Sequence, residues 1–311
     1  MLQFVREALG ATRATLGATA GDFVGRRRSE DPLAERDPEF IRETLSTHSA
    51  IADVYFRPKV RGLELIPPEG PVLLVGNHSG GTLIADTFAF SYGFYKHFGP
   101  ERLFHQLAHD LVFRVPGLAM LRKYGTVPAS HENAGRALQR GAAVLVYPGG
   151  DWETYRPSWR SGEIDFGGRS GFARLALEND VPIVPVVAIG GQETALFVTR
   201  GEGIARALRL DRLFRLKVLP VQIGPPFGVT ILDLPGRLPL PSQVTIQVLP
   251  PIDIREQLGE EPSEQTVSQL VTTQMQDALD ELSVERDLPV VGSVTPREEE
   301  SEVAERLAAA R

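Results

Sequence analysis

The sequence predicts an α/β fold, with a mostly parallel or mixed central sheet flanked by helices. Three observations predict it. Short runs such as Pro71 to Gly76, Ala142 to Tyr147 and Val181 to Ile189 are continuously apolar, as in strands buried on both faces. Stretches of helical periodicity separate them, the order of a crossover-connected sheet. Glycine-rich polar turns follow the first two runs, where open α/β sheets collect ligands. The 311 residues are 42% hydrophobic and 23% charged, enough for one large domain with appendages.

The elements follow in order. Residues 1–36 read as an amphipathic helix and a linker. Leu2, Val5 and Leu9 share one side, and Arg26, Arg27 and Arg28 close the stretch. Such a helix suits a surface or a lipid interface. The main domain is expected over 37–255. It opens on a helix from Pro38 to Ala52, with proline at a first helical position. Strands are expected at Tyr55–Leu63, Val72–Val75, Gly125–Pro128, Ala143–Tyr147, Ile183–Ala188 and Val244–Leu249. Helices are expected at Leu83–Phe98, Pro116–Tyr124, His131–Arg140, Arg169–Asn179 and Gly203–Phe214. Ser130 is placed to cap the third of these and Gly141 to stop it. Residues 219–251 are dense in Pro and Gly and read as a surface excursion with little room for helix. A helix at Glu264–Leu282, within a 256–285 unit packed on the domain, spaces Val267, Leu270, Val271, Met275, Leu279 and Leu282 for packing. Residues 286–311, with Glu298, Glu299 and Glu300, read as a flexible tail.

Composition removes several functions. The net charge of -7 gives no electrostatic case for nucleic acid, and the absence of cysteine excludes disulfides, thiolate metal sites and a cysteine nucleophile. No run approaches the roughly 20 apolar residues of a membrane span. Arg6, Glu7 and Arg13 interrupt the N-terminal stretch, so no secretory core is expected. A cytoplasmic location fits.

Two motifs carry chemistry. The first is Gly76-Asn77-His78-Ser79-Gly80-Gly81, after an apolar strand and ahead of Asp86. Histidine titrates near neutrality and suits a general base for a hydroxyl. An acidic partner would fix its tautomer, and glycine amides can hold developing negative charge. The second is Tyr147-Pro148-Gly149-Gly150-Asp151-Trp152-Glu153, followed by Arg156. Glu153 and Arg156 are candidates to hydrogen-bond a polyol or phosphate.

The two turns, about 70 residues apart, together resemble the glycerolipid acyltransferase superfamily. The first resembles its His–Asp block. The second resembles its Phe-Pro-Glu-Gly block, in the Pro-Gly-Gly-x-x-Glu form of mono- and diacylglycerol acyltransferase-like branches. Val181 to Val186 resembles the fourth block, with Pro185 shaping an acyl pocket, and Gly125 to Pro128 sits where the second belongs. The resemblance spans roughly residues 55–255. It implies transfer of a fatty acyl group from acyl-CoA or acyl carrier protein to a hydroxyl of a glycerolipid, such as a lysophospholipid or a mono- or diacylglycerol. It implies His78 and Asp86 as catalytic, and Asn77, Ser79, Gly80 and Gly81 as oxyanion or positioning residues. Tyr147, Pro148, Gly149, Gly150, Glu153, Arg156 and Pro185 would meet substrate. No cofactor and no metal are implied, and peripheral contact with the inner face of a membrane is.

The chain departs from the family pattern at three places. The aspartate usually lies five positions after the histidine, where this chain has Leu83; Asp86 lies eight on. In a continuous helix that is about 12 Å along the axis, so the pair requires Ser79 to Thr82 to form a loop. The second block lacks the arginine that holds an acceptor phosphate, and Trp152 stands where related sequences often have arginine. Both favour a less charged acceptor.

Other features weigh less. His105 and His109 stand four apart and would share a helical face, but structural or lining roles are the expectation over metal. Residues 204–217 interleave Arg206, Arg209, Arg212, Arg215 and Lys217 with leucines, a pattern fit for anionic lipid. A lipid esterase would need Gly-x-Ser-x-Gly, which neither Ser79 nor Ser170 fits. A non-catalytic lipid-binding protein of the same fold is the alternative if Asp86 does not reach His78.

Overall fold

A computed structural model describes residues 31–51, 57–81, 85–114, 118–210, 218–231, 233, 240 and 242–286. The expected helix over 1–28, the tail after Arg286 and the basic residues Arg212, Arg215 and Lys217 lie outside the described residues.

Seven strands form the central sheet: β1 (Lys59–Arg61), β2 (Val72–Gly76), β3 (Phe104–Ala108), β4 (Thr126–Pro128), β5 (Ala143–Val146), β6 (Ile183–Ile189) and β10 (Thr245–Val248). Their spatial order is β1-β10-β6-β2-β5-β3-β4. From β6 through β2, β5 and β3 to β4 every pairing is parallel. β10 runs antiparallel to β6 and parallel to β1, so that edge is reversed and the sheet is mixed. The expected α/β class is borne out.

The continuous apolar runs are explained by cover on both faces. On one face Val72, Leu74, Val184 and Val186 pack with Phe90 and Phe94 of α2 (Ala85–Phe98), after α1 (Pro38–Ile51). On the other, Leu73, Val75 and Ile183 pack with α3 (His131–Gln139), a glycine-started α5 (Gly171–Asn179) and the long α8 (Glu264–Glu285). Phe94 stacks on Phe104 of β3, centroids 4.5 Å apart. Truncating such a ring costs about 3–5 kcal/mol. Ser130 Oγ accepts from Asn133 N–H and Ser263 Oγ from Thr266 N–H, so hydroxyl caps start α3 and α8.

Three segments differ from the sequence expectation. β3 was not assigned, because its polar His105 and Gln106 disguise a buried strand; both find partners inside, Gly125 O at 3.0 Å and Thr126 Oγ1 at 2.7 Å. The Pro- and Gly-rich stretch holds β8 (Val221–Gly224) and β9 (Gly228–Ile231), which extend β7 (Leu196–Thr199) into a second, antiparallel sheet. The helix expected to reach Phe214 is described only as α6 (Glu202–Ala207). Among the described residues no helix is long and apolar enough to cross a membrane.

Because β2, β5 and β6 are parallel neighbours, the turns after them share one edge of the sheet. The turn after β2 carries His78, that after β5 carries Tyr147 and leads into α4 (Gly150–Thr154), and that after β6 carries Gly190 to Thr194.

Candidate active site

His78 leaves β2 on a loop that glycine makes possible. Gly80 and Gly81 have φ of 92° and 71°, a region that side-chain-bearing residues avoid. A Cβ on Gly80 would also sit 2.7 Å from Gly191 O. α2 follows in sequence, and its first turn carries Asp86. His78 Nδ1 and Asp86 Oδ2 are 3.0 Å apart. The eight-residue spacing is thus closed by the loop, and the pair is in hydrogen-bond contact.

Asp86 is 1% exposed. Burying a carboxylate requires compensation. Oδ2 accepts from Ser79 N–H at 2.8 Å and Oδ1 from Thr87 N–H at 2.6 Å, at the positive end of α2. An oxygen so placed accepts from His78 Nδ1–H, which fixes the tautomer with the lone pair on Nε2. That nitrogen has no hydrogen-bond partner among the described residues, and the side chain is 13% exposed. Tyr147 stacks on the imidazole, centroids 4.3 Å apart and planes 18° from parallel. The close approach of the Tyr147 ring explains Gly76, where a Cβ would lie 2.5 Å from it.

The remaining expected residues divide into supports and turns. Asn77 is fully buried and bonds β6 twice, Nδ2 to Ala188 O at 2.8 Å and Oδ1 from Ala188 N–H at 2.7 Å. It continues the β2–β6 pairing one residue past the strand end. Gly80 N–H donates to Gln192 Oε1 at 3.3 Å and Gly150 N–H to Tyr147 O at 3.1 Å. The amides of Gly81 and Gly149 find no acceptor among the described residues. Pro148 lies on the same turn, its carbonyl accepting from Arg169 Nη1 at 3.3 Å.

Glu153, Arg156 and Pro185 need correction. They were expected at substrate, but Glu153 and Arg156 are 0% and 1% exposed. Glu153 Oε2 accepts from His78 N–H at 2.9 Å, and its Oε1 meets Arg156 Nη1 at 3.0 Å. Arg156 Nη1 also donates to Glu163 O, and its carbonyl accepts from Gln192 Nε2, both at 2.6 Å. The pair is a buried brace for the His78 turn. Burial pushes the Glu153 carboxyl up to about 7, against the pull of Arg156 and of the His78 amide. Pro185 is buried within β6 beside Val75, inside the sheet rather than on a ligand surface.

Sequence reading missed Gln192 and Thr194. Gln192 links the His78 loop to Arg156, and Thr194 Oγ1 lies 3.4 Å from Gly80 O. The signal was present: Gly190 and Gly191 follow an apolar strand, as in the other two turns. His105 sits in β3 rather than on a helix, donates to Gly125 O, and burial lowers its pKa to about 4.

A family model described as Acyltransferase matches residues 57–189, from the approach to β1 through the end of β6. Within that span lie the His78 and Tyr147 turns. Over that span the chain carries an acyltransferase domain similar to those of the glycerolipid acyltransferase superfamily, and it is an acyltransferase. Its relatives include the following. A Bos taurus protein named "DGAT1/2-independent enzyme synthesizing storage lipids" is 32% identical over 150 residues, covering 47% of this chain and 42% of that one. An uncharacterised Mycobacterium tuberculosis protein is 28% identical over 296 residues, covering 88% of this acyltransferase and 78% of its own length. The crystal structure of the 1-acyl-sn-glycerophosphate acyltransferase PlsC from Thermotoga maritima shares the fold, with a TM-score of 0.54 at 16% identity, over 89% of this chain and 95% of that one.

Proposed function

We propose that the acyltransferase moves a fatty acyl group from a thioester, acyl-CoA or acyl carrier protein, to the hydroxyl of a neutral glycerolipid, with His78 as general base. The observation that carries this reading is the 3.0 Å His78–Asp86 contact, which leaves Nε2 as a proton acceptor. Nε2 takes the proton of the acceptor hydroxyl as its oxygen bonds to the thioester carbonyl carbon. The carbonyl electrons move onto oxygen, where the Gly81 and Gly149 amides are the assigned donors. Collapse of the tetrahedral species breaks the C–S bond, and the imidazolium returns the proton to the leaving thiolate. Ester and free thiol result, without an acyl-enzyme. Asp86 holds the tautomer and stabilises the imidazolium.

A neutral acceptor, a mono- or diacylglycerol rather than lysophosphatidate, is supported by the pairing of the nearby arginines. Arg156 is spent on Glu153, Arg169 on Asp151 and Arg200 on Asp165. At the second block, Arg122 and Lys123 face Glu35 and Asp37. A phosphate would compete with carboxylates already in place. The storage-lipid wording of the bovine relative's name points the same way. Nothing supports a serine esterase: Ser79 is buried, and its Oγ faces Asp86 at 3.4 Å rather than His78.

The test is purified protein with labelled acyl-CoA or acyl carrier protein against lysophosphatidate, lysophospholipids, and mono- and diacylglycerol, read by product mass. Preferred acylation of the uncharged acceptors is expected. Preference for lysophosphatidate would overturn the acceptor assignment.

A further inference from the structure

The small sheet presents an exposed apolar face among the described residues. β8 pairs with β9 in the register Val221↔Ile231 and Ile223↔Val229, and β7 places Leu196 beside Ile223. Residues directly opposite in an antiparallel pair point to the same side. One side therefore carries Leu196, Val221, Ile223, Val229 and Ile231, with the exposed Thr199 opposite Val221 as its polar margin. Val229 and Ile231 are 67% and 60% exposed, and Phe227 in the connecting turn is 49% exposed. The opposite side is conventional: Phe197 is fully buried, and Gln222 Nε2 bonds Asp233 Oδ1 at 2.8 Å. A hairpin with its polar side inward and its aliphatic side outward reverses the usual alternation. Contiguous exposed apolar surface marks an interaction site.

Position and charge narrow the occupant. β7 starts just after the turn at Gly190 to Thr194, which bonds the His78 loop through Gln192, so the sheet rises from the catalytic edge. Trp159, 55% exposed, lies in the turn whose Ser158 Oγ accepts from Phe197 N–H of β7. Tryptophan favours the boundary between water and acyl chains. α6 continues from β7 with exposed Ile204 and Leu208 beside exposed Arg206 and Arg209, in a chain whose net charge is -7. Aliphatic side chains with arginines at their margin match a bilayer with anionic headgroups.

We propose that the outward face of the β7–β8–β9 sheet docks this acyltransferase on an anionic lipid bilayer, with β9 entering the headgroup–acyl boundary. Such docking would bring the catalytic edge to the membrane in which lipid acceptors dissolve, and in that respect it rests on the function proposed above. Among the described residues β9 pairs only with β8, so a second copy of the chain pairing at its other edge is a competing occupant that the test separates.

The experiment uses the full chain and sedimentation with phosphatidylcholine vesicles, with and without phosphatidylglycerol. The comparison is Val229→Thr/Ile231→Thr, which keeps β-branched residues on an exposed strand. The expected result is binding to the anionic vesicles, weakened about tenfold in the double variant. Transfer to a water-soluble short-chain acceptor should be unchanged in that variant, and transfer to a vesicle-embedded acceptor reduced. Equal sedimentation of both proteins, or none by either, would overturn the proposal. So would a dimer, by light scattering, that the substitutions dissociate while vesicle binding persists. Failure of transfer to the soluble acceptor in the unsubstituted protein would count against the proposed reaction alone, since sedimentation is read independently.

Discussion

Replacing Glu153 with alanine distinguishes a brace from a substrate contact. The substitution removes the carboxylate that faces Arg156 Nη1 at 3.0 Å and holds the His78 amide at 2.9 Å. Arg156 is 1% exposed, so its charge would be left buried without a counterion. Removing one partner of such a pair costs about 3–5 kcal/mol. The stranded His78 amide adds ~1 kcal/mol or more. At roughly 2–4 °C per kcal/mol for a protein of this size, the melting temperature should fall by at least about 8 °C. Adding Arg156→Met removes the orphaned charge and should recover part of that loss. Neither variant should recover activity, because the His78 turn has lost its anchor. The assay is thermal and denaturant unfolding of the three proteins, with kcat and KM measured well below each transition. A Glu153→Ala protein that melts within about 2 °C of the parent and shows raised KM at unchanged kcat would refute the brace. That pattern belongs to a residue that only binds substrate.

Other consequences can be measured on the same material. Glu153 binds its proton more tightly folded, at about 7, than a free carboxyl at 4.5, so its contribution to stability falls as pH rises from 4.5 to 7, by ~3 kcal/mol. His105, lowered from 6.5 to about 4, acts oppositely and costs stability as pH falls from 6.5 towards 4. Denaturant midpoints against pH should therefore lose a downward slope in Glu153→Gln and an upward one in His105→Gln; parallel curves would contradict both. Asp86→Asn lets the imidazole carry its proton on Nε2, and kcat should drop by roughly 10²–10⁴; a fall of less than about tenfold would remove Asp86 from the mechanism. Gly80→Ala meets both φ 92° and a 2.7 Å approach to Gly191 O, so stability should fall by ~1–2 kcal/mol or more, with activity; an unchanged melting curve would refute the tight loop.

The sequence made the sheet interior readable wherever burial demanded uniform apolarity. Val72 to Val75, Ala143 to Val146 and Ile183 to Ile189 are such runs, and the glycine turns after them mark the catalytic edge. Local pattern failed where polar residues are satisfied at long range. His105 and Gln106 hid β3 because their partners, Gly125 and Thr126, lie about 20 residues away where β4 begins. β8 and β9 were hidden by flanking prolines and glycines, which signal turns but do not forbid short strands between them. The His78–Asp86 pair was legible as a condition on a Gly-Gly loop, and the loop meets it. The brace was not legible. Glu153 and Arg156 in a turn look like surface groups, and only the return of β2 and β6 to the same edge buries them.

The most direct measurement of the central claim is acyl transfer by purified His78→Ala with a labelled acyl thioester and the acceptor preferred by the parent protein. The account predicts loss of nearly all transfer, with a melting temperature close to the parent's, because the Asp86 carboxylate left behind keeps its bonds from the Ser79 and Thr87 amides. Transfer at a rate close to the parent's would contradict it.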